Sequence, residues 1–237
     1  MYLSNEHLVS FNGSNLPNRT SIDKLGVTLS DQRRYGGSIE ARVKLSSQKL
    51  CVLYRARRYE YLNSTTANPV QITSLMKTPE WTNAKRVSIF LAMSNEVQTE
   101  GAALAALRSG KQVFVPLCAG GSMRMLRVHS EQDLETLPRD SWGIKEPKPV
   151  EGRDDALETG GVDLVVCPGV AFTSKGHRCG YGKGYYDGFL TKLRNLPKTG
   201  DSNKRVTIAV AFRQQVLDEI PVTDADVTID QILTADS

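Results

Sequence analysis

A chain of 237 residues, 40% apolar and 24% charged, has room for one sizeable domain or for a domain with an extension. No apolar run reaches the roughly eighteen residues of a membrane-spanning helix, and Met1 to Leu25 lacks an apolar core and carries Glu6 and Asp23, which excludes a secretory signal or acid-poor transit peptide and leaves the cytoplasm as the expected compartment. The net charge of +4 is uneven, because residues 1–68 hold ten Lys/Arg against five Asp/Glu, and so loosely spread a basic flank reads as a solvated extension rather than a nucleic-acid-binding arm.

Residues 1–68 show weak periodicity and frequent breakers, at Asn12-Gly13, Pro17, Gly26 and Gly36-Gly37, and are expected to form a poorly ordered extension. Residues 69–237 change character and are expected to form the folded α/β domain. Val70 to Lys77 suits a short helix, and Arg86 to Met93 reads as a buried strand, apolar and bounded by polar residues. Thr99 precedes an alanine- and leucine-rich helix that Gly110 is placed to stop. Gln112 to Pro116 is the next strand, and Met123 to Val128 alternates enough to be a half-exposed one. Val162 to Cys167 is a second near-continuous apolar strand, followed by a glycine-rich segment and a helix from Tyr185 to Leu193 or slightly beyond. Val206 to Phe212 is the last buried strand, and a short one follows between Val227 and Leu233. Strands apolar on both faces that alternate with helices imply a mostly parallel sheet covered on both sides, with right-handed crossovers.

Cys51, Cys118, Cys167 and Cys179 form no CxxC pair, and His7, His129 and His177 form no cluster with them, so neither a disulfide framework nor a zinc site is expected. Asn12, Asn18 and Asn63 each open an N-x-S/T triplet, which has no consequence without a secretory route.

The most informative run is Cys167-Pro168-Gly169-Val170-Ala171-Phe172 and then Gly176-His177-Arg178-Cys179-Gly180-Tyr181-Gly182-Lys183-Gly184-Tyr185-Tyr186-Asp187. Glycines at alternate positions between a strand and a helix let the backbone take positive φ and approach a ligand closely. Successive N–H groups can then face an anion, helped by the helix N-terminus. Arg178 and Lys183 add the positive charge that polyphosphate binding needs, and Asp187, one turn into the helix, could hold a magnesium ion bridging phosphate oxygens. The run fits neither GxxxxGK[ST] nor GxGxxG. On spacing alone, a loop that needs its glycines only for tight packing remains the alternative.

The same letters resemble the signature of the 5-formyltetrahydrofolate cyclo-ligase family, in which a PG(V/L)xF segment precedes GxRLGxGxGYYD. Further blocks occur in the family's order: Ala84 to Met93 with Glu96 and Thr99, Gly110-Lys111, Val115-Pro116, Trp142-Gly143-Ile144-Lys145-Glu146-Pro147, and Asp226 to Asp230 as a DxxxD pattern. The resemblance implies a Rossmann-like three-layer α/β sandwich. It also implies an ATP- and Mg2+-dependent ring closure of 5-formyltetrahydrofolate to 5,10-methenyltetrahydrofolate, with release of ADP and phosphate. By the same likeness Arg178, Cys179, Gly180, Tyr181, Gly182, Lys183, Gly184, Tyr185 and Tyr186 would wrap ATP, with Arg178 and Lys183 catalytic. Asp187 and Asp226 would ligate the metal. Leu91, Glu96, Trp142, Tyr181 and Tyr185 would bind the folate, with Met123 as a further wall.

Each residue has a plainer reading: Leu91 as core, Met123 as strand filler, Trp142 as packing, Glu96 as a solvated turn residue, Tyr185 or Tyr186 as helix anchors. The resemblance favours function for Glu96, Lys183, Asp187 and Asp226 and leaves both readings open for Trp142 and Met123. The family's opening helix carries a KxxLR motif that residues 1–68 do not show at that spacing. Substitution by Lys49, Arg55 or Arg57, loss of activity, and a misassigned gene start are the three explanations, the last being the one favoured. The partners expected are small molecules, with no membrane or nucleic acid, and a monomer is expected. An inactive folate- or nucleotide-binding relative, or an RNA-binding protein with a domain of this kind, are the rival readings.

Overall fold

The protein, as a computed structural model, is described for residues 10–11, 14–15, 69–94, 96–148, 152–197 and 205–236. The expectations for the rest of residues 1–68, including Lys49, Arg55 and Arg57, lie outside the described residues. Within that segment β1 (Ser10–Phe11) pairs antiparallel with β2 (Ser14–Asn15).

From residue 69 the order is α1 (Pro69–Lys77), α2 (Pro79–Asn83), β3 (Arg86–Ile89), α3 (Glu100–Arg108), β4 (Gln112–Ala119), β5 (Ser122–Val128) and α4 (Glu131–Glu135). There follow β6 (Leu164–Cys167), β7 (Ala171–Phe172), β8 (Arg178–Cys179), α5 (Tyr185–Asn195), β9 (Val206–Val210), a short 3-10 turn at Arg213–Gln215, and β10 (Gln231–Leu233). A six-stranded sheet runs β10-β9-β6-β3-β4-β5, parallel throughout except where β5 returns antiparallel to β4. This is the layered, mostly parallel α/β architecture implied by both-face apolar strands.

The central strands are apolar because both faces are covered. Val87, Ile89, Val113, Val115, Leu164, Val166, Ile208 and Val210 are all buried, each worth about 1.5–3 kcal/mol of burial. From β3 the chain steps through α3 to β4, and from β6 it steps the opposite way through α5 to β9. Crossovers of one hand running in opposite directions put α3 and α5 on opposite faces. α1 lies against α3, β9 and β10, whereas α5 lies against β5. The exposed edge of β5 is covered by a bridge from Asp155 to Leu126, flanked by bonds from the Arg127 and Ala156 amides to the Asp154 and Met125 carbonyls.

Several strands stop or start away from the expected residues. β3 ends at Ile89, not Met93, because the Phe90 carbonyl is taken by the Thr99 hydroxyl. Thr99 therefore ties the start of α3 to the end of β3 and makes no side-chain cap. β6 begins at Leu164, not Val162, because the Asp163 carboxylate turns aside to accept the Lys85 and Arg86 amides at 2.8 and 2.9 Å. β4 runs on to Ala119, β9 stops at Val210, and β10 starts at Gln231. Gly110 stops α3 as expected, with φ 78° and its amide on the Leu107 carbonyl. No helix among the described residues is long and apolar enough to cross a membrane.

Asp163 joins the amino ends of the two central strands, beside the bond that Arg86 Nε donates to the Gly161 carbonyl at 2.6 Å. Asp163→Ala is expected to lower unfolding free energy by about 1–2 kcal/mol, seen as a lower urea midpoint with an unchanged slope.

Candidate active site

The strand order reverses between β3 and β6, neighbours paired in parallel with Ile89 opposite Val166. In open α/β sheets the crevice outside the carboxyl ends of two such strands is where ligands bind. Here two segments enter it, the turn from Phe90 to Glu96 after β3 and the long loop from Pro168 to Gly184 after β6.

The β6 loop is built in two parts. The first is the antiparallel pair β7–β8, with Ala171 opposite Cys179 and Phe172 opposite Arg178. Gly169 leaves the strand here, and a Cβ on it would stand 2.5 Å from Phe172 Cζ. Its carbonyl accepts from Gln215 Nε2 at 2.8 Å, which fastens the loop to the segment after β9. At the tip Gly176, with φ 84°, approaches Ile229 so closely that a Cβ would lie 2.2 Å from the Ile229 carbonyl oxygen. The Ile229 amide donates to the Gly176 carbonyl at 2.8 Å. That contact holds the tip against the segment that carries Asp226.

The second part is Gly180 to Gly184. Gly182 and Gly184 have φ of 87° and 67°, and a Cβ on either would meet nothing within 4 Å. They face open space, as a backbone cradle must. Gly184 is also the N-cap of α5, with no side chain capping the first-turn amides, so the positive end of the helix points into the same space. Lys183 is exposed and Tyr181 is exposed, while Arg178 and Cys179 lie buried beneath.

Under the cradle Arg178 Nη2 pairs with Asp187 Oδ2 at 2.9 Å, the two side chains being 4% and 18% exposed. The guanidinium also stands 5.5 Å over the Tyr186 ring. Asp187 Oδ1 accepts from the Val227 amide at 3.1 Å, so Asp187 reaches the residue next to Asp226. Asp226 Oδ2 in turn accepts from the Thr223 amide and hydroxyl at 2.6 and 3.0 Å. The other aspartate of the DxxxD pattern, Asp230, accepts from the Thr207 amide and hydroxyl at 2.7 and 2.6 Å and so pins this segment to β9. Two carboxylates on adjoining segments, with no group of three His, Cys, Asp or Glu among the described residues, suit a magnesium ion that takes one or two protein carboxylates and fills its other positions with phosphate and water. Tyr186 is buried, and burial raises its phenol well above the usual value. Burial likewise pushes the Cys167 thiol up to about 12, which leaves it protonated beneath the site.

On the β3 side Leu91 and Met123 are buried within the main core. Glu96 closes its own turn, its Oε2 accepting from the Met93 amide at 2.9 Å. Trp142 is not packing, since it stands 66% exposed. Its turn is shaped by Asp140 Oδ1, which accepts the Trp142 and Ile144 amides at 2.8 and 2.9 Å. Lys145 binds Glu100 at 2.6 Å and Glu146 accepts the Cys118 amide at 2.5 Å, which bring the turn to the starting end of α3 and the carboxyl end of β4. Burial raises the Glu146 carboxyl against that bond. The positions not singled out from sequence are Gly176, Gln215 and Thr223. Each acts through a contact 3 to 53 residues away along the chain, and only Gly176 lay inside a readable motif.

Comparison with known proteins places the chain in a family. The family model described as "5-formyltetrahydrofolate cyclo-ligase family" matches residues 51–235. The 5-formyltetrahydrofolate cyclo-ligase of Mus musculus is 39% identical over 160 residues, covering 67% of this chain and 77% of the mouse protein. Among solved structures, a 5,10-methenyltetrahydrofolate synthetase of Aquifex aeolicus superposes with a TM-score of 0.60 at 27% identity, covering 81% of this chain and 90% of that one. A second, from Mycoplasma pneumoniae, shares the fold at a TM-score of 0.52 and 14% identity, over 79% of this chain and 96% of that one.

The two kinds of glycine should respond differently to a methyl group. Gly176→Ala must move the Ile229 backbone and is expected to cost about 2–4 kcal/mol of stability. Gly182→Ala meets only the positive-φ penalty, about 1–2 kcal/mol. Urea unfolding of both variants measures the difference.

Proposed function

The chain belongs to the 5-formyltetrahydrofolate cyclo-ligase family, and on that premise we propose that it converts 5-formyltetrahydrofolate and ATP to 5,10-methenyltetrahydrofolate, ADP and phosphate. The observation that carries this reading is the meeting, at the β3–β6 switch point, of an open glycine cradle at a helix N-terminus with the Asp187 and Asp226 segments.

The formyl oxygen on N5 is a poor leaving group, and transfer of the γ-phosphoryl group to it makes a good one. N10 then attacks the formyl carbon, the five-membered ring closes, the C–O bond breaks, and phosphate leaves with the N10 proton released. Phosphoryl transfer asks mainly for positioning and neutralised charge. In this chain the amides around Gly182 and Gly184 and the first turn of α5 would receive phosphate oxygens. Lys183, on the open side of the loop, would neutralise the transferring group. Asp187 and Asp226 would hold magnesium, whose charge would offset that of the phosphates. Glu96 would present its carboxylate to the pterin's aminopyrimidine edge and accept from it. Trp142 offers an exposed aromatic face beside the start of α3, while Leu91 and Met123 form the apolar floor. The cytoplasm is the compartment proposed.

A second reading, a relative that binds these ligands without turnover, is favoured by the missing KxxLR motif in residues 1–68. One assay separates the two. Methenyltetrahydrofolate is followed by its ultraviolet absorbance, with and without ATP and magnesium. Product is expected only with both. Lys183→Ala should lower kcat/KM about 10²–10³-fold, Asp187→Ala should abolish the magnesium-dependent rate, and Lys192→Ala, on the exposed side of α5, should change nothing. Ligand binding without product would establish the second reading.

A further inference from the structure

The family resemblance assigns Arg178 to ATP and the reading above assigns Asp187 to the metal, yet the two are engaged with each other. Asp187 Oδ2 takes Arg178 Nη2 at 2.9 Å, and Oδ1 takes the Val227 amide, so both carboxylate oxygens already have a donor. A divalent cation on Asp187 would stand beside a guanidinium whose side chain is only 4% exposed, and little water is there to screen the repulsion. Independently, Arg178 Nε is buried and has no hydrogen-bond partner among the described residues. Buried guanidinium donors are ordinarily satisfied, and one left over marks a missing acceptor. On the cradle side the group lies against Gly180, where any side chain would crowd it. A Cβ there would lie 2.9 Å from Arg178 Nη1.

We infer that Arg178 is the standing counter-ion of Asp187, displaced from the carboxylate when the divalent cation arrives, and that its freed fork turns toward the cradle to meet phosphate oxygens. Without metal, the guanidinium keeps a part-buried carboxylate compensated and in position, since an uncompensated buried charge is strongly destabilising. With metal, the same positive charge is delivered to the phosphates as they arrive. Arg178 is thus a competitor of the cation for Asp187 and a positioning residue before it is a phosphate ligand. The inference rests on Asp187 being a metal ligand.

Manganese(II), followed by electron paramagnetic resonance of the free ion, probes this on the full chain without nucleotide. Arg178→Gln removes the competitor and is expected to bind manganese about tenfold more tightly than the unaltered protein. Arg178→Lys, a point charge on a shorter stem, should fall between them, and it carries the test should Arg178→Gln fail to fold. Asp187→Asn should bind more weakly than the unaltered protein. Manganese should also raise the melting temperature of Arg178→Gln more than that of the unaltered protein. A merely structural arginine predicts the opposite sign, a site loosened by its loss. Unchanged or weaker binding in the Arg178 variants, with weakened binding in Asp187→Asn, overturns the counter-ion role and leaves the metal ligand standing. Unchanged binding in Asp187→Asn overturns the metal ligand and the counter-ion role with it.

Discussion

The parallel pairing of β3 with β6 is the constraint on which the rest of the molecule depends. Ile89 opposite Val166 sets the carboxyl ends of two strands side by side, and the chain leaves those ends in opposite directions. No helix can close over the gap, because each crossover departs from it. One strand end gives the Glu96 turn and the other gives the glycine loop, so the two become neighbours although more than eighty residues separate Glu96 from Gly182 in the chain. Asp163 at the opposite ends of the same two strands keeps their register, with its carboxylate on the Lys85 and Arg86 amides.

The strand cores were legible in the sequence because burial on both faces leaves an unbroken apolar run, as in Leu164 to Cys167 and Val206 to Val210. The strand ends were not, because they are set by side chains from elsewhere: the Thr99 hydroxyl on the Phe90 carbonyl, and Asp163 on β3. The same division holds at the site. Alternating glycines announce a loop that comes close to something, and the letters around them match a family. The spacing of Arg178 and Asp187 spans a loop–helix junction, where no periodicity says which groups face each other. Gln215 and Ile229 meet the loop only through the folded sheet, so nothing local in the sequence marks them.

The loop's glycines divide by what surrounds them. At 169 and 176 a side chain is excluded by contact with Phe172 and Ile229, and the loop is clamped there. At 182 and 184 space is open and only the backbone conformation asks for glycine. A clamped base under an open crest is a sound arrangement for a phosphate cradle. The base fixes where the amides are, and the crest leaves the space beside them open. Hydrogen bonds to Thr223 and Thr207 extend the clamping to the aspartates of the last segment.

Trp142 and Trp81 are the chain's two tryptophans, and they lie in opposite surroundings, 66% and 5% exposed. An indole in water emits at longer wavelength than one in a dry core, so the protein's fluorescence is the sum of a fixed blue component and a solvent-sensitive red one. The red component comes from the turn that Lys145 ties to the start of α3. The molecule therefore carries its own optical reporter on that turn, with an internal reference buried elsewhere in the fold.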